Sequence, residues 1–438
     1  MTLHSVRATV ARATAGLALL LAALLLLGTA PAHAQAGVIA GIVPDVPSQA
    51  TGTPGTAGTA GTAGTTSTQV RPRISTAEDR LPYGGGRVLH TNRTHVIFWQ
   101  PTGSTLAYDP GYQPLVDAFL TDVAADSHKT TNVYSLSGQY TDSTGRAAYD
   151  STYGGSVTAT DPLPANGCTE PAMTGPGWTV CLTDAQLEAE IEHVIAANNL
   201  PITPHDIYFL VTPNGLGSCT DAGSSSCALG GSVNGYCGYH SETDSGVLYA
   251  IIPFNAVPNH CQSNNPRPNS STADPSISTL SHEQNETITD PDGDAWIDAR
   301  GNEEADICLT NFGRNLSSAG GALSSAWNQS INGGHFFLQE EWSNADNDCE
   351  ARAKPDRLSF DSLSLRGAAG MVSFTAHGSD PQGRLVSFQW FFGDGRGGFG
   401  RQPSHRFKTP GSYRVVLRST DSWGNWAYAR QTIRLKAG

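Results

Sequence analysis

The stretch Ser278–Cys308 reads STLSHEQNETITDPDGDAWIDARGNEEADIC. It contains the pair His282-Glu283 and a second glutamate, Glu286, three positions after Glu283. Positions i and i+4 of a helix lie on one face, so His282 and Glu286 would bind one cation together. Glu283 lies one step round the helix, where it would hold a water at the metal and accept its proton. Pro291 cannot continue a helix, so the helix is expected to end immediately before it. The stretch therefore predicts a helix that carries two metal ligands and a general base.

A third ligand is expected from the next segment, Asn302–Asp306, which reads NEEAD. Together with the helix, this segment resembles the thermolysin-like gluzincins, in which a downstream Asn-Glu-x-x-x-Asp pattern supplies the third ligand and a supporting Asp. The resemblance implies that Glu303 is the third ligand, with Glu304 as the alternative. It also implies that Asp306 orients the imidazole of His282.

Two departures from the gluzincin pattern affect the expected metal. Glu286 stands where the second His would be, and the Glu-to-Asp spacing is one residue shorter. Two carboxylates and one imidazole leave a bound Zn²⁺ neutral, so it withdraws less charge from its water and the pKa of that water should rise. Harder cations such as Mn²⁺, Fe²⁺ and Ca²⁺ then become competitive. Zinc is the expected cofactor, and calcium is the alternative.

A wider resemblance covers most of the segment that precedes residue 356. The chain resembles the secreted exordium-like (phosphate-induced) proteins and their bacterial and fungal relatives. It matches their SHExxExxTDP…GxExxDxC pattern through SHEQNETITDP (281–291), Trp296 and GNEEADIC (301–308). CGYHS (237–241) and LQEEWSNA (338–345) are also similar to that family. The resemblance implies a zincin-like fold and a metal-dependent site, without naming a substrate.

Two further candidate sites are weaker. His240 and His335 are auxiliary candidates, as transition-state stabilisers or alternative ligands, although a structural or surface role is more common for such residues. The run of four Asp residues over 290–298 alternates around a Gly turn, as in calcium loops. It lacks the EF-hand order, so a solvated acidic turn is the favoured interpretation.

Residues from Arg357 onward read as short alternating strands, with Gly393-Asp394-Gly395 as a turn and Trp390 as the core aromatic. The module resembles a PKD domain along its whole length, through GSDP (378–381), WFFGDG (390–395), PGSY (410–413) and Thr420-Asp421. The resemblance implies an all-β, Ig-like sandwich that acts as a spacer or binds proteins or polysaccharides outside the cell.

The N-terminus has the features of a secretory signal over residues 1–34. Arg7 and Arg12 precede the apolar run Ala15–Leu27, and Ala32-His33-Ala34 provides a small-x-small cleavage site. The run is shorter than the ~20 residues that span a bilayer. A secreted, extracellular protein is predicted, with no transmembrane segment after signal removal.

Composition divides the remaining chain into three parts. Residues 35–80 are predicted to form a disordered linker, because the Gly-Thr-Ala repeat of Thr51–Thr66 cannot bury enough apolar surface to fold. A body is expected over 81–356 and the sandwich over 357–438. From residue 35 to residue 356 there are 12 Lys and Arg against 35 Asp and Glu, whereas the sandwich has 12 against 4. The acidic body argues against nucleic acid as its ligand.

Strand and helix patterns alternate along the body, which predicts a mixed α/β or α+β fold. The resemblance to zincin-like proteins favours α+β of these two. Buried strands are expected within 87–100, 206–212 and 246–254, and helices over Tyr112–Ala125 and Thr183–Asn199. An even number of cysteines in an exported chain indicates disulfides. Pairing of sequence neighbours is the simplest prediction: Cys168–Cys181, Cys219–Cys227, Cys237–Cys261 and Cys308–Cys349.

These observations predict a secreted metal-dependent hydrolase, a peptidase of altered zincin type with an accessory sandwich. The alternative is a non-catalytic extracellular or cell-surface binding protein that retains the same scaffold. Its partner would be a protein or a polysaccharide.

Overall fold

The computed structural model describes residues 40–44, 80–169, 178–229, 235–313, 316–318, 321–353, 358–364, 370–379, 384–421 and 426–436. The predicted signal peptide, the Gly-Thr-Ala repeat, the boundary at residue 356 and residues 380–381 of the GSDP motif lie outside these ranges. In the described ranges, no helix has the length and apolar character needed to span a bilayer.

A mixed β-sheet forms the centre of the body. Its described strands are β1 Ala40–Pro44, β2 Asn92–Trp99, β3 Ser151–Ala159, β4 Val180–Thr183, β5 Asp206–Val211, β6 Leu216–Cys219, β7 Cys227–Ala228, β8 Gly235–Glu242 and β9 Leu248–Ile252. The order is β3-β2-β5-β9-β8-β7-β6-β4, with β1 paired to β8. Neighbours are parallel from β3 to β9, whereas β8 runs antiparallel to β9. Strands β5 and β9 are buried at every residue, as expected for strands covered on both faces.

The described helices are α1 Tyr112–Ala125, α2 Asp184–Asn198, α3 Ala273–Thr289 and α4 Glu304–Ile307, with 3-10 turns at Val133–Gln139 and Leu323–Ser325. Helix α1 has the predicted bounds. Helix α2 begins after Thr183, which forms the predicted capping box with Gln186. Asn199 ends α2 in a left-handed conformation, with φ of 52°. The spacing of apolar residues at intervals of three and four therefore predicted both helices correctly.

The prediction of disorder over 35–80 is wrong at Ala40–Pro44, which forms β1. The β-branched pair Ile42 and Val43 suits an extended backbone. The edge of β8 supplies the backbone partners that a lone strand lacks. Composition within the segment does not reveal this partner, because it lies in a distant part of the sequence.

Three short hairpins follow α4 along the chain. Their strands are β10 Ser317–Ser318, β11 Ala326–Trp327, β12 Gln329–Ile331, β13 Gly334–Phe336, β14 Glu341–Ser343 and β15 Asp348–Glu350. They pair consecutively and antiparallel. Strand β14 packs against α4, so the LQEEWSNA segment is brought beside the chemistry-bearing region.

Four disulfides link the cysteines in the neighbour pairing that the sequence predicts. Cys308 ends α4 and Cys349 lies on β15, so their bond ties the helix to the β14–β15 hairpin. Cys237 lies on β8, which the bond to Cys261 anchors to the segment ahead of α3. The crosslinks therefore fix two elements that pack against α3.

Replacing Cys308 and Cys349 together by alanine is expected to lower the free energy of unfolding by ~4 kcal/mol. A bond with a sequence separation of 41 residues removes about this much chain entropy from the unfolded state in the loop-closure model. The Cys219–Cys227 pair, with a separation of 8 residues, is expected to contribute ~2.5 kcal/mol. Urea unfolding of the two double variants measures both losses. A larger loss from the shorter loop would contradict the entropic explanation.

A β-sandwich forms the C-terminal part of the chain. Its described strands are β16 Ser359–Ser364, β17 Met371–His377, β18 Leu385–Phe391, β19 Gly397–Phe399, β20 Ser404–Arg406, β21 Gly411–Asp421 and β22 Trp426–Leu435. One sheet has the order β16-β17-β20 and the other β19-β18-β21-β22. Trp390 is fully buried with Phe374 and Leu417 in the core, as predicted. Gly393 and Gly395 have φ of 82° and 83°, which explains the glycines of the predicted turn.

Candidate metal centre

Helix α3 lies in the interior of the body, and each of its residues is buried. It ends at Thr289, as the position of Pro291 predicts. A helix that is buried all round has no face in water. Its ionisable residues His282, Glu283 and Glu286 therefore need partners inside the protein.

His282 and Glu286 lie on the same side of α3, as their spacing predicts. Nε2 of His282 is 2.9 Å from Oε1 of Glu286 and 3.5 Å from Oδ1 of Asp306. Neither contact has the geometry of a hydrogen bond, and Nε2 has no other hydrogen-bond partner. Ligand atoms around one tetrahedral ion lie roughly 3.3 Å apart, because metal–ligand bonds measure about 2.0–2.2 Å. The three side chains are therefore spaced as ligands of one cation.

The position of Asp306 differs from the orienting role that the gluzincin resemblance implies. Asp306 approaches the same ring nitrogen of His282 as Glu286 does, which is the position expected of a ligand rather than of a support. Nδ1 of His282 instead faces Oε1 of Gln339 at 3.5 Å. The amide of Gln339 donates in turn to the carbonyl of Ala305 in α4. Gln339 is thus the residue placed to orient the imidazole.

Glu283 points from α3 towards β8. A Cβ at position 238 would lie 2.8 Å from Oε1 of Glu283, so Gly238 leaves the space that this carboxylate occupies. Both carboxylate oxygens are buried without a hydrogen-bond partner. Ligand atoms of Glu283, Glu286 and His240 lie within 4.8 Å of one another. Glu283 therefore adjoins the cluster while its oxygens stay free to accept a proton.

His240, an auxiliary candidate from the sequence, belongs to the centre. It lies on β8, and its Nε2 is 2.9 Å from Oε2 of Glu303. Both side chains are fully buried. Glu303 immediately precedes α4 and forms a capping box with Asp306. The predicted third ligand is therefore placed against His240 rather than against His282.

The centre holds a set of buried polar atoms that lack a hydrogen-bond partner. They are Nε2 of His282, both carboxylate oxygens of Glu283, Oε2 of Glu286, Oε1 of Glu303, Oδ1 of Asp306 and Nδ1 of His240. A buried polar group without a partner costs about 1–3 kcal/mol, and a charged one costs more. Imidazole nitrogen and carboxylate oxygen are ligands that zinc and other first-row divalent cations share. The donor set fits a resident divalent cation.

The electrostatics of the centre also favour a cation. Burial raises the pKa of Glu283 well above its ordinary value, and the charges of Glu286 and Asp306 raise it further. Burial alone would lower the pKa of His282, but Glu286 and Asp306 hold that pKa well above its usual value. Burial lowers the pKa of His240 to about 4, which leaves its imidazole neutral at pH 7. Carboxylates outnumber positive groups here, so a dication would relieve their repulsion.

Two other buried carboxylates border the centre. Glu304, the alternative ligand from the sequence, accepts a hydrogen bond from the hydroxyl of Thr289 at the end of α3. Glu341 on β14 is 1% exposed and both its oxygens lack a hydrogen-bond partner. Burial raises the pKa of Glu341, and Glu286 and Asp306 raise it further. Sequence patterns did not predict Glu341 as part of the centre. The available signal was its position in the LQEEWSNA segment, directly before a tryptophan that is buried.

His335 and the acidic run lie outside the cluster. His335 is exposed, stacks on Trp327 with ring centroids 4.1 Å apart, and faces Ser330. This exposed position agrees with the surface role that is more common for such a histidine. Asp292 forms a bidentate ion pair with Arg87, at 2.8 and 2.9 Å.

Two other carboxylates of the acidic run bind backbone N–H groups within the turn, and the buried carboxyl of Asp290 also contacts Glu303. Asp290 accepts the backbone N–H groups of Asp294 and Ala295, and Asp298 accepts those of Arg300 and Asn302. In the described part of the chain, no cluster of potential metal ligands includes this run. These contacts favour an acidic turn over a calcium loop, although Asp290 is fully buried and not solvated as that interpretation expected.

Comparison with known proteins identifies the sandwich. Residues 364–436 match the PKD domain family. A microbial collagenase of Vibrio alginolyticus is 39% identical over 67 residues, which are 15% of this chain and 8% of the collagenase. Collagenase ColQ1 of Bacillus cereus (strain Q1) is 37% identical over 68 residues, 15% of this chain and 7% of that protein.

Solved structures of PKD domains are also similar to a part of this chain. The crystal structure of the PKD1 domain of Vibrio anguillarum Epp is 26% identical and covers 19% of this chain and 98% of that structure, with a TM-score of 0.18. The chain spans less than a tenth of the length of either collagenase. Residues 364–436 are a PKD domain, an accessory module of the kind that occurs in collagenases.

Proposed function

We propose that residues 81–356 form a metal-dependent hydrolase of peptidase type, with the PKD domain as its accessory module. The observation that carries the proposal is the convergence of His282, Glu286 and Asp306 on one point beside the unpartnered carboxylate of Glu283. Buried imidazole and carboxylate groups without partners are costly in a body of this kind unless a cation holds them. The resemblance to gluzincins and exordium-like proteins supports the same reading of the motif.

We propose two ligands from α3 and weigh two candidates for the third. His282 and Glu286 would hold the cation from α3. Asp306 is the third ligand favoured by distance, and Glu303 is the third ligand favoured by the resemblance. A divalent cation bound there would polarise a substrate carbonyl and lower the pKa of a nearby water. One imidazole and two carboxylates suit zinc, with harder ions as competitors.

Glu283 is the proposed general base. It follows His282 directly, and its carboxylate adjoins the three proposed ligands, with a ligand atom within 4.8 Å of those of Glu286 and His240. Its unpartnered oxygens would accept the proton of the attacking water and pass it to the departing amine nitrogen. Gln339 would keep the imidazole of His282 aimed at the cation.

Several features support an extracellular location for this activity. The N-terminal sequence has the features of a secretory signal. Four disulfides are typical of proteins that fold in an oxidising compartment. The PKD domain is shared with collagenases, so a role in holding the body near a protein or polysaccharide is part of the proposal.

Metal analysis of the purified mature chain tests the proposal. We expect one divalent ion per chain, and hydrolysis of a fluorogenic peptide mixture that stops when a chelator removes the ion and returns when zinc is added. His335→Ala is the matched control, because it removes an exposed imidazole outside the centre and should change neither result. A chain that carries no metal and cleaves no peptide would contradict the proposal.

The alternative function, a non-catalytic extracellular binding protein, is favoured by one observation. His240, Glu283, Glu286 and Glu303 are all fully buried, as expected for a structural ion site that no substrate reaches. The two functions differ in their response to chelation. A binding protein would lose stability when the ion is removed but would show no hydrolysis before or after.

A further inference from the structure

Strand β1 lies along the candidate metal centre. It pairs antiparallel with β8, with Ala40 opposite His240, Val43 opposite Gly238 and Pro44 opposite Tyr236. His240 binds Glu303, and Gly238 is the residue whose missing Cβ makes room for Glu283. Strand β1 also packs against α3 and α4, the two helices that carry the other ligands. A five-residue strand thus contacts three elements of the centre.

The edge of β8 that β1 covers has no other described partner strand. On its opposite side, β9 pairs with Tyr239–Glu242. Strand β7 pairs only with Gly235 and Tyr236 at the start of β8. Without β1, the backbone groups of β8 next to the centre would form an open sheet edge. Such an edge binds an extended peptide through main-chain hydrogen bonds, whatever the identity of the side chains.

The sequence around β1 fits the chemistry of this edge. Residues 36–44, AGVIAGIVP, contain no ionisable side chain and four β-branched residues. β-branched residues favour extended backbone. An uncharged segment avoids electrostatic repulsion by the carboxylates of the centre. An acidic peptide bound along β8 would experience that repulsion.

We infer that β1 is an intramolecular occupant of the peptide-binding edge, and that the edge of β8 takes extended, uncharged peptide segments as substrate. The inference rests on the proposed hydrolase function. With β1 on the edge, a substrate peptide reaches the buried centre only while β1 is detached, so the intact chain hydrolyses peptides slowly and the rate rises when β1 leaves. Because β1 belongs to the same chain, it competes with any free peptide at high effective concentration.

The test severs β1 in the full mature chain. A recognition site for a specific protease is inserted between Gly58 and Thr59, and the folded protein is analysed before and after cutting and gel filtration. Binding of a fluorescent peptide of residues 36–44 is measured by anisotropy, and hydrolysis is measured in parallel. We expect the peptide to bind at least tenfold more tightly after the cut and hydrolysis to rise at least tenfold. A control peptide with Ile42→Pro, which cannot extend a sheet, should not bind.

A second variant covers the case in which the cut fragment stays on the edge. Ile42→Pro in the intact chain weakens β1 where it stands and should raise peptide binding without any cut. If neither the cut chain nor this variant binds the peptide better than the starting protein, the inference is wrong. If the peptide binds after the cut but no form hydrolyses it, the hydrolase function fails and the edge assignment stands. Equal rates of hydrolysis before and after the cut would contradict self-inhibition and would leave the assignment of the peptide-binding edge unchanged.

Discussion

Replacing Glu283 by glutamine should lower kcat for peptide hydrolysis by about 10²–10⁴-fold, the usual contribution of a general base. Glutamine keeps the size of the side chain beside Gly238, so the packing of α3 against β8 should survive. It removes the oxygen that would accept a proton from water. Because Glu283 is outside the group formed by His282, Glu286 and Asp306, the metal content should stay at the level of the unmodified chain.

The measurement combines steady-state kinetics with metal analysis of the same preparations. Glu190→Gln is the matched control, since it makes the same change in a buried carboxylate of α2 that belongs to neither ligand cluster. We expect this control to retain activity within a few fold. If Glu283→Gln keeps its metal and its full activity, Glu283 is not the base. If both variants lose activity equally, the effect is one of buried charge rather than of proton transfer.

Local patterns predicted the parts of the centre that lie on one element. The i, i+4 spacing put His282 and Glu286 side by side, and Pro291 set the end of α3. The N-cap at Thr183 and the core position of Trp390 are equally local, since each depends on residues a few positions away. Patterns of this kind are readable because helix and strand geometry fix which neighbours share a face.

The remainder of the centre depends on contacts between distant segments. His240 comes from β8, Gln339 and Glu341 come from the region around β14, and β1 comes from a segment whose neighbours are of low complexity. No periodicity links these positions to α3, so only the folded sheet brings them together. The resemblance supplied Glu303 as third ligand, but the fold turns its carboxylate towards His240.

The identity of the third ligand leads to a prediction about metal affinity. His282→Ala is expected to abolish binding of zinc, because it removes the only imidazole within reach of both Glu286 and Asp306 among the described groups. Asp306→Asn is expected to weaken zinc binding more than Glu303→Gln does, since Asp306 is the carboxylate that approaches Nε2 of His282. Loss of a group that only supports a ligand typically costs 10–100-fold in affinity, so Glu303→Gln should fall within that range.

Competition with a chromophoric chelator measures these affinities without reference to activity. Thermal unfolding gives a second readout, because an ion that binds only the folded state stabilises it by about 4 kcal/mol at a thousandfold excess over Kd. Zinc should therefore raise the Tm of the unmodified chain and of His335→Ala, and leave that of His282→Ala unchanged. A greater loss of zinc affinity in Glu303→Gln than in Asp306→Asn would indicate that Glu303, and not Asp306, is the third ligand. In that case the cation would lie between α3 and His240, on the side of the centre that β1 covers, and severing β1 should then alter zinc affinity as well as peptide binding.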